Sequence, residues 1–198
     1  MKLKLSRSTL VFLFILLIFM AVLAGLKIHR HFQEQRYINE NFLTYKGFEF
    51  KKMADMWWTT WVRGNDEFTI PFRFNPKQTV NITINGSAQG FSFNPVYITF
   101  DPNGSQLQYV ALAASELTIS LAKVFSVKPI SACTAEKAGV CPPKPIINCT
   151  NTNESVIYIK TAQKTAIIAE GNCITFQGTG AELVRAVDRF LFRMYKIQ

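Results

Sequence analysis

The chain has 198 residues, of which 48% are hydrophobic and 13% aromatic, and a formal net charge of +9. That charge divides unevenly: residues 1–36 hold six basic and one acidic side chain, whereas residues 37–198 hold 16 basic and 12 acidic. More than half of the excess therefore flanks the apolar N-terminus, where anionic headgroups account for it. No basic stripe or recognised motif remains, so a nucleic-acid partner is not expected.

The basic head, Lys2, Lys4 and Arg7, runs into an apolar stretch from Leu10 to Leu26, and a second basic patch follows at Lys27, Arg30 and Arg36. No other window is comparably apolar. A single transmembrane helix is expected, with the N-terminus cytoplasmic and the C-terminal domain extracytoplasmic, because the head carries slightly more positive charge. Cleavage after Ala24 is the rival, but the helical pattern continues through His29, Phe32, Arg36 and Ile38 without a turn residue. Leu26 rather than Cys follows Gly25, which excludes lipoprotein-type attachment. Residues 1–45 are read as membrane anchor and juxtamembrane helix, the helix ending near Thr44, and residues 46–198 as one extracytoplasmic α+β domain.

An aromatic-rich antiparallel β block comes next. Phe48 and Phe50 alternate with Glu49 and Lys51, and Trp57–Arg63 and Glu67–Phe74 flank the hairpin signal Gly64-Asn65-Asp66. Pro71 within its run predicts an edge or a bulge. Val80, Ile82 and Ile84 alternate with Asn81, Thr83 and Asn85, which predicts a strand with both asparagines facing outward. Trp57 and Trp61 share one strand face and form a candidate binding face, for stacking on sugars or contact with headgroups. The competing explanation is that the face is core, or is covered by the juxtamembrane helix.

Val96–Phe100 reads as a strand and Gln106–Phe125 as a helix, with an apolar stripe of Leu107, Val110, Ala111, Ala114, Leu117, Leu121 and Val124. A loop with Pro142, Pro143 and Pro145 leads to strands at Val156–Lys160, Ala166–Glu170 and Ile174–Gln177. A final helix starts at Ala181, with Thr179 and Glu182 as its capping box. Ile98-Thr99-Phe100 and Ile174-Thr175-Phe176 match, and Gly104 and Gly180 follow at the same offset. This echo supports two strand–helix units on a common sheet, forming one sandwich-like domain with the β block.

Cys133, Cys141, Cys149 and Cys173 are an even set beyond the anchor, without Cys-x-x-Cys spacing, and the only histidines are His29 and His31. No metal or other cofactor is expected; disulfides Cys133–Cys141 and Cys149–Cys173 are, which requires an oxidising compartment. Asn81, Asn85, Asn103, Asn148 and Asn153 begin Asn-x-Ser/Thr triplets, five of the 12 asparagines. Chance supplies about 1.5, so these are candidate glycosylation sites that agree with an exterior domain, the rival explanation being that Thr-rich strands and turns produce such triplets anyway.

With no histidine in the domain, a Ser-His or Cys-His nucleophile is excluded. Asp101, at a strand end, and Asp188, in a helix, are the carboxylates to inspect for glycan hydrolysis, although a turn and an ion pair with Arg185 explain them more simply. The expected function is a non-catalytic binding or scaffolding module of the cell envelope. Its partners are the membrane and another envelope protein or glycan.

The run Asn172-Cys173-Ile174-Thr175-Phe176-Gln177-Gly178 leading into Arg185-Ala186-Val187-Asp188-Arg189-Phe190-Leu191 resembles the ends of small, uncharacterised archaeal single-pass membrane-anchored proteins. The resemblance covers the last third of the chain and implies no activity or site. A long apolar N-terminal helix before a disulfide-bearing sheet domain also resembles a type IV pilin or pseudopilin, an alternative assembly role. However, no glutamate follows the start of the apolar run and no glycine-ended leader precedes it. Protein isolated from membranes is expected to retain residues 10–26; N-terminal sequencing that begins at Gly25 instead overturns the anchor.

Overall fold

The computed structural model describes residues 7–141, 143 and 145–198. Lys2 and Lys4 of the basic head, and Pro142 of the cysteine loop, lie outside them. The chain divides into two compact units, Met1–Leu43 and Thr44–Gln198.

In the first unit, α1 runs unbroken from Arg7 to Asn41. It is apolar enough to cross a membrane, with an 18-residue window of mean hydropathy 2.8. At 1.5 Å per residue a 35-residue helix is about 52 Å long, well beyond the roughly 30 Å of hydrocarbon it has to span. The surplus is its polar second half, where Arg36 pairs with Glu40 at 3.5 Å. The helix stops at Asn41 rather than near Thr44. Asn41 Nδ2 donates to the Tyr37 carbonyl at 2.9 Å, and Phe42–Tyr45 is strand β1. Aromatic and β-branched side chains favour that strand, and Lys46-Gly47, both with positive φ, turns it back on β2 (Phe48–Met53).

Ala54-Asp55, again both at positive φ, joins β2 to β3 (Met56–Arg63). Gly64-Asn65 then leads to β4 (Asp66–Phe72). The four strands form an antiparallel sheet in the order β1-β2-β3-β4. Pro71 sits opposite Trp58 on the edge strand, where proline is tolerated.

The alternation from Val80 to Asn85 is not one strand. Asn75 caps a short helix α2 (Pro76–Thr79) in a reciprocal bond with Gln78, and Pro76 occupies its first turn. Val80 is therefore exposed, Asn81 lies in a turn, and β5 begins only at Thr83 and ends at Ser87. The second sheet then assembles from β5, β6 (Val96–Phe100), β7 (Ile130–Ser131), β8 (Ser155–Thr161), β9 (Ala166–Glu170) and β10 (Cys173–Gly178). Its order is β5-β9-β10-β8-β6-β7, mixed because β9 runs antiparallel to β10.

The sequence echo has a structural counterpart. Ile98-Thr99-Phe100 and Ile174-Thr175-Phe176 pair in the same register on either side of Ile157-Tyr158-Ile159. Each strand is followed by a helix, α3 (Leu107–Lys123) or α4 (Ala181–Met194). The capping box expected at α4 does not form. Thr179 donates instead to the Ala162 carbonyl, and Glu182 takes the Thr165 hydroxyl and pairs with Arg185. Gly180, at φ 58°, enters the helix, and its N–H donates to Gln106 Oε1 at 2.6 Å, joining the starts of α3 and α4.

Helix α4 packs between the two sheets. Phe190 meets Phe176 on the mixed sheet at 5.1 Å between ring centroids. Phe192 meets Phe72 at 4.3 Å and Phe50 at 5.9 Å on the antiparallel sheet. The fold is α+β, one domain following one apolar helix. Both cystines form the expected pairs, Cys133–Cys141 and Cys149–Cys173, with Cα separations of 6.2 and 5.5 Å. Replacing Cys149 and Cys173 by serine frees a loop closed between residues 24 apart in sequence. Denaturant unfolding of the full chain is expected to show a loss of about 2–4 kcal/mol.

Candidate functional site

Trp57 and Trp61 do not form an open face. Trp57 is buried, and the Trp61 ring lies 5.3 Å from Tyr195 and 5.9 Å from Phe125, with Nε1 donating to the Tyr195 carbonyl at 3.0 Å. Their strand face is the core face of the antiparallel sheet, where the large apolar area of the rings is best used. Burial also pushes the Tyr195 phenol up to about 12. The opposite face carries Trp58, Thr60 and Val62, of which Val62 and Thr60 are exposed.

Asp188 is fully buried and does not pair with Arg185. Its Oδ2 accepts the backbone N–H groups of Arg73 at 3.0 Å and Phe74 at 2.8 Å. Arg73 in turn bonds through Nε to Glu116 of α3. Burial raises the Asp188 carboxyl well above its ordinary 3.8, and the charge of Glu116 raises it further, against the two N–H bonds and Arg73. Burial likewise raises Glu116, with Arg73 opposing. Two acids thus meet across an exposed arginine, but they hold the end of β4 against α3 and α4. None of the recesses described below includes either of them.

Asp101 is exposed in its turn, where Oδ1 accepts the Asn103 N–H at 2.9 Å and the carbonyl accepts the Gly104 N–H. It borders a polar hollow of about 240 Å³ at the ends of β6 and β8, with Ser105, Tyr158, Lys160 and Thr161. Burial raises the Tyr158 phenol, and the Asp101 charge raises it further. No second carboxylate lines this hollow. Tyr158 and Lys160 escape sequence reasoning because only the β6–β8 pairing brings them to Asp101.

An apolar groove of about 280 Å³ adjoins it, with Val110 lining both. Its origin lies in the α3 stripe. Val110, Leu117, Leu121 and Val124 are buried as expected, but Ala111 is exposed and Leu107 and Ala114 are only half-buried. The stripe is wider than the sheet that covers it, because the sheet ends there in β7, a strand of two residues. Ile98 and Phe100 of β6 and Val140 of the cysteine loop complete the groove.

Asn81, Asn85, Asn103 and Asn153 are exposed, whereas Asn148 is half-buried. Among the described residues, no group of three or more His, Cys, Asp or Glu side chains is placed to hold a metal ion. The chain matches no protein-family model, and no curated protein or solved structure is significantly similar to it.

The raised Asp188 carboxyl has a defined effect on stability. Its contribution is fully present below the unfolded value near 3.8 and is lost as pH rises through the higher folded value, with Glu116 acting in the same direction. Asp188→Asn, which keeps one acceptor oxygen without charge, is expected to flatten this fall in unfolding measurements across that window. Asp188→Ala strands the Arg73 and Phe74 N–H groups and is expected to cost about 2–4 kcal/mol at low pH, the loss shrinking as pH rises through the same window.

Proposed function

We propose that the chain is a single-pass protein of the cell membrane, with its N-terminus cytoplasmic, whose extracytoplasmic domain is a non-catalytic binding or scaffolding module. The carrying observation is the amphipathic recess beside α3, an apolar groove that continues past Val110 into a hollow bordered by Asp101 and Lys160. A recess of this make suits a partner segment or glycan with an apolar body and a polar end. Its one carboxylate, already accepting the Asn103 N–H, lacks the opposed acid that carboxylate-based glycan hydrolysis uses.

Two cystines support a domain in an oxidising compartment, and the apolar helix supports the attachment. The exposed Asn-x-Ser/Thr triplets fit the same side of the membrane. The partner is another component of the envelope, protein or glycan, besides the membrane itself.

Crosslinking of the full chain in native membranes tests this reading. Ala111→Trp fills the groove from an exposed position and is expected to reduce the captured partner about tenfold with the melting temperature little changed. An undiminished yield overturns the recess as the contact. Turnover of an envelope glycan that disappears in a folded Asp101→Asn variant establishes a hydrolase instead.

A further inference from the structure

We propose that Asn85 and Asn103 are the N-glycan acceptors of the folded domain, and that the fold closes Asn81, Asn148 and Asn153 to the same modification. This rests on the reading that the domain lies outside the membrane. There, an oligosaccharide activated on a lipid phosphate is transferred to Asn-x-Ser/Thr. Asparagine Nδ2 bonds to C1 of the first sugar and gives up one proton. The C1–O bond to the lipid phosphate breaks, and the phosphate leaves with that electron pair. The transferase engages the side-chain amide and the hydroxyl two residues on, so both side chains have to be free of the fold and the residue between them has to lie outside the core.

Two triplets meet that condition. Asn85, Gly86 and Ser87 are all exposed, on a strand at the end of the mixed sheet whose single strand neighbour among the described residues is β9. Asn85 shares a sheet face with Ile168 and Thr175, opposite the face that carries Phe176. Gly86 is required there by packing, since a Cβ would lie 2.1 Å from the Ala169 carbonyl oxygen at φ 80°. No comparable contact demands asparagine before it or serine after it. At the second triplet, Asn103 and Ser105 are exposed and are held through backbone atoms. The Asn103 N–H donates to Asp101, and the Ser105 carbonyl accepts from Thr161 at 3.0 Å.

The other three triplets are occupied by the fold. Asn148 Oδ1 accepts the Thr150 N–H at 2.9 Å, the Thr150 hydroxyl at 2.8 Å and the Asn151 N–H at 3.1 Å. Its middle residue, Cys149, is bonded to Cys173. At Asn153 the required hydroxyl belongs to Ser155, which is buried in β8 and accepts the Ser92 N–H at 2.7 Å. At Asn81 the middle residue, Ile82, is in the core, and Asn81 Oδ1 faces Arg185 at 3.5 Å. A glycan on Asn85 has a further consequence: it places a bulky polar group on the open edge of β5 and bars another strand from pairing there.

Mass-spectrometric mapping of glycans and disulfides on the full chain, purified from its native membranes, tests the assignment. Chains with both cystines are expected to carry glycan on Asn85 and Asn103 and on neither Asn81, Asn148 nor Asn153. Asn85→Gln and Asn103→Gln should each remove one glycan, and the double variant all of it. Oxidised chains bare at Asn85 and Asn103 overturn the acceptor assignment while leaving the location standing. Glycan at Asn148 or Asn153 in chains with both cystines overturns the closure. Four free thiols and no glycan overturn the location and the proposal together.

Discussion

The buried carboxylate of Asp188 is the contact on which the arrangement of the two sheets depends. A polar group placed in a protein core is costly unless it is hydrogen-bonded, and here two backbone N–H groups of one turn supply the partners. Those donors, Arg73 and Phe74, come directly after β4, so the bond fixes where the antiparallel sheet ends against α4. From that point the chain must turn, and Asn75-Pro76 starts α2 at once. Arg73 extends the link to Glu116 on α3, which joins the last strand of one sheet to both helices of the other.

With that turn fixed, the aromatic side chains fall into one cluster. Phe72 lies against Phe192 and Tyr195, Trp61 against Tyr195 and Phe125, and Phe50 against Phe192. All of these pairs are tilted or edge-on, the arrangement the ring quadrupole favours over a face-to-face sandwich. Helix α4 is consequently apolar on two sides. One side, with Leu183 and Val187 buried, serves the mixed sheet, and the other, with Phe192, serves the antiparallel sheet. The C-terminal residues take part as well: Ile197 is buried, and the Gln198 side chain bonds to Pro76 and Thr79 of α2.

The cysteine loop lacks the apolar content to hold itself in place and is tied down by other means. Thr99 donates to the Ile147 carbonyl at 2.7 Å, Asn172 Nδ2 donates to the Glu154 carbonyl at 2.6 Å, and the two cystines anchor the loop to itself and to β10. Fixing this loop also fixes Val140 at the rim of the groove. Stapling therefore shapes the recess as well as stabilising the fold, and it ties down Cys149, the middle residue of the Asn148 triplet.

Features that depend on local periodicity or on covalent geometry were legible in the sequence. The apolar run of α1, the strands β6, β9 and β10 and the helix α3 follow from spacing and residue type, the even cysteine set points to two disulfides, and Pro71 in its run calls for an edge or a bulge. Asn75-Pro76 with Gln78 was an available signal for α2, but the alternation just after it reads as a strand when taken alone. Tertiary structure decided what periodicity cannot. Two tryptophans on one strand face look alike whether that face is open or packed, and only the approach of Tyr195, 134 residues away from Trp61, turns it inward. Asp188 looks like an i,i+3 partner of Arg185 until a distant turn offers two better donors. The recess is invisible for the same reason: an apolar stripe shows which side of α3 avoids water, but not how far a sheet that ends in a two-residue strand extends to cover it. Such choices are made by groups far apart in the chain, and local pattern carries no information about them.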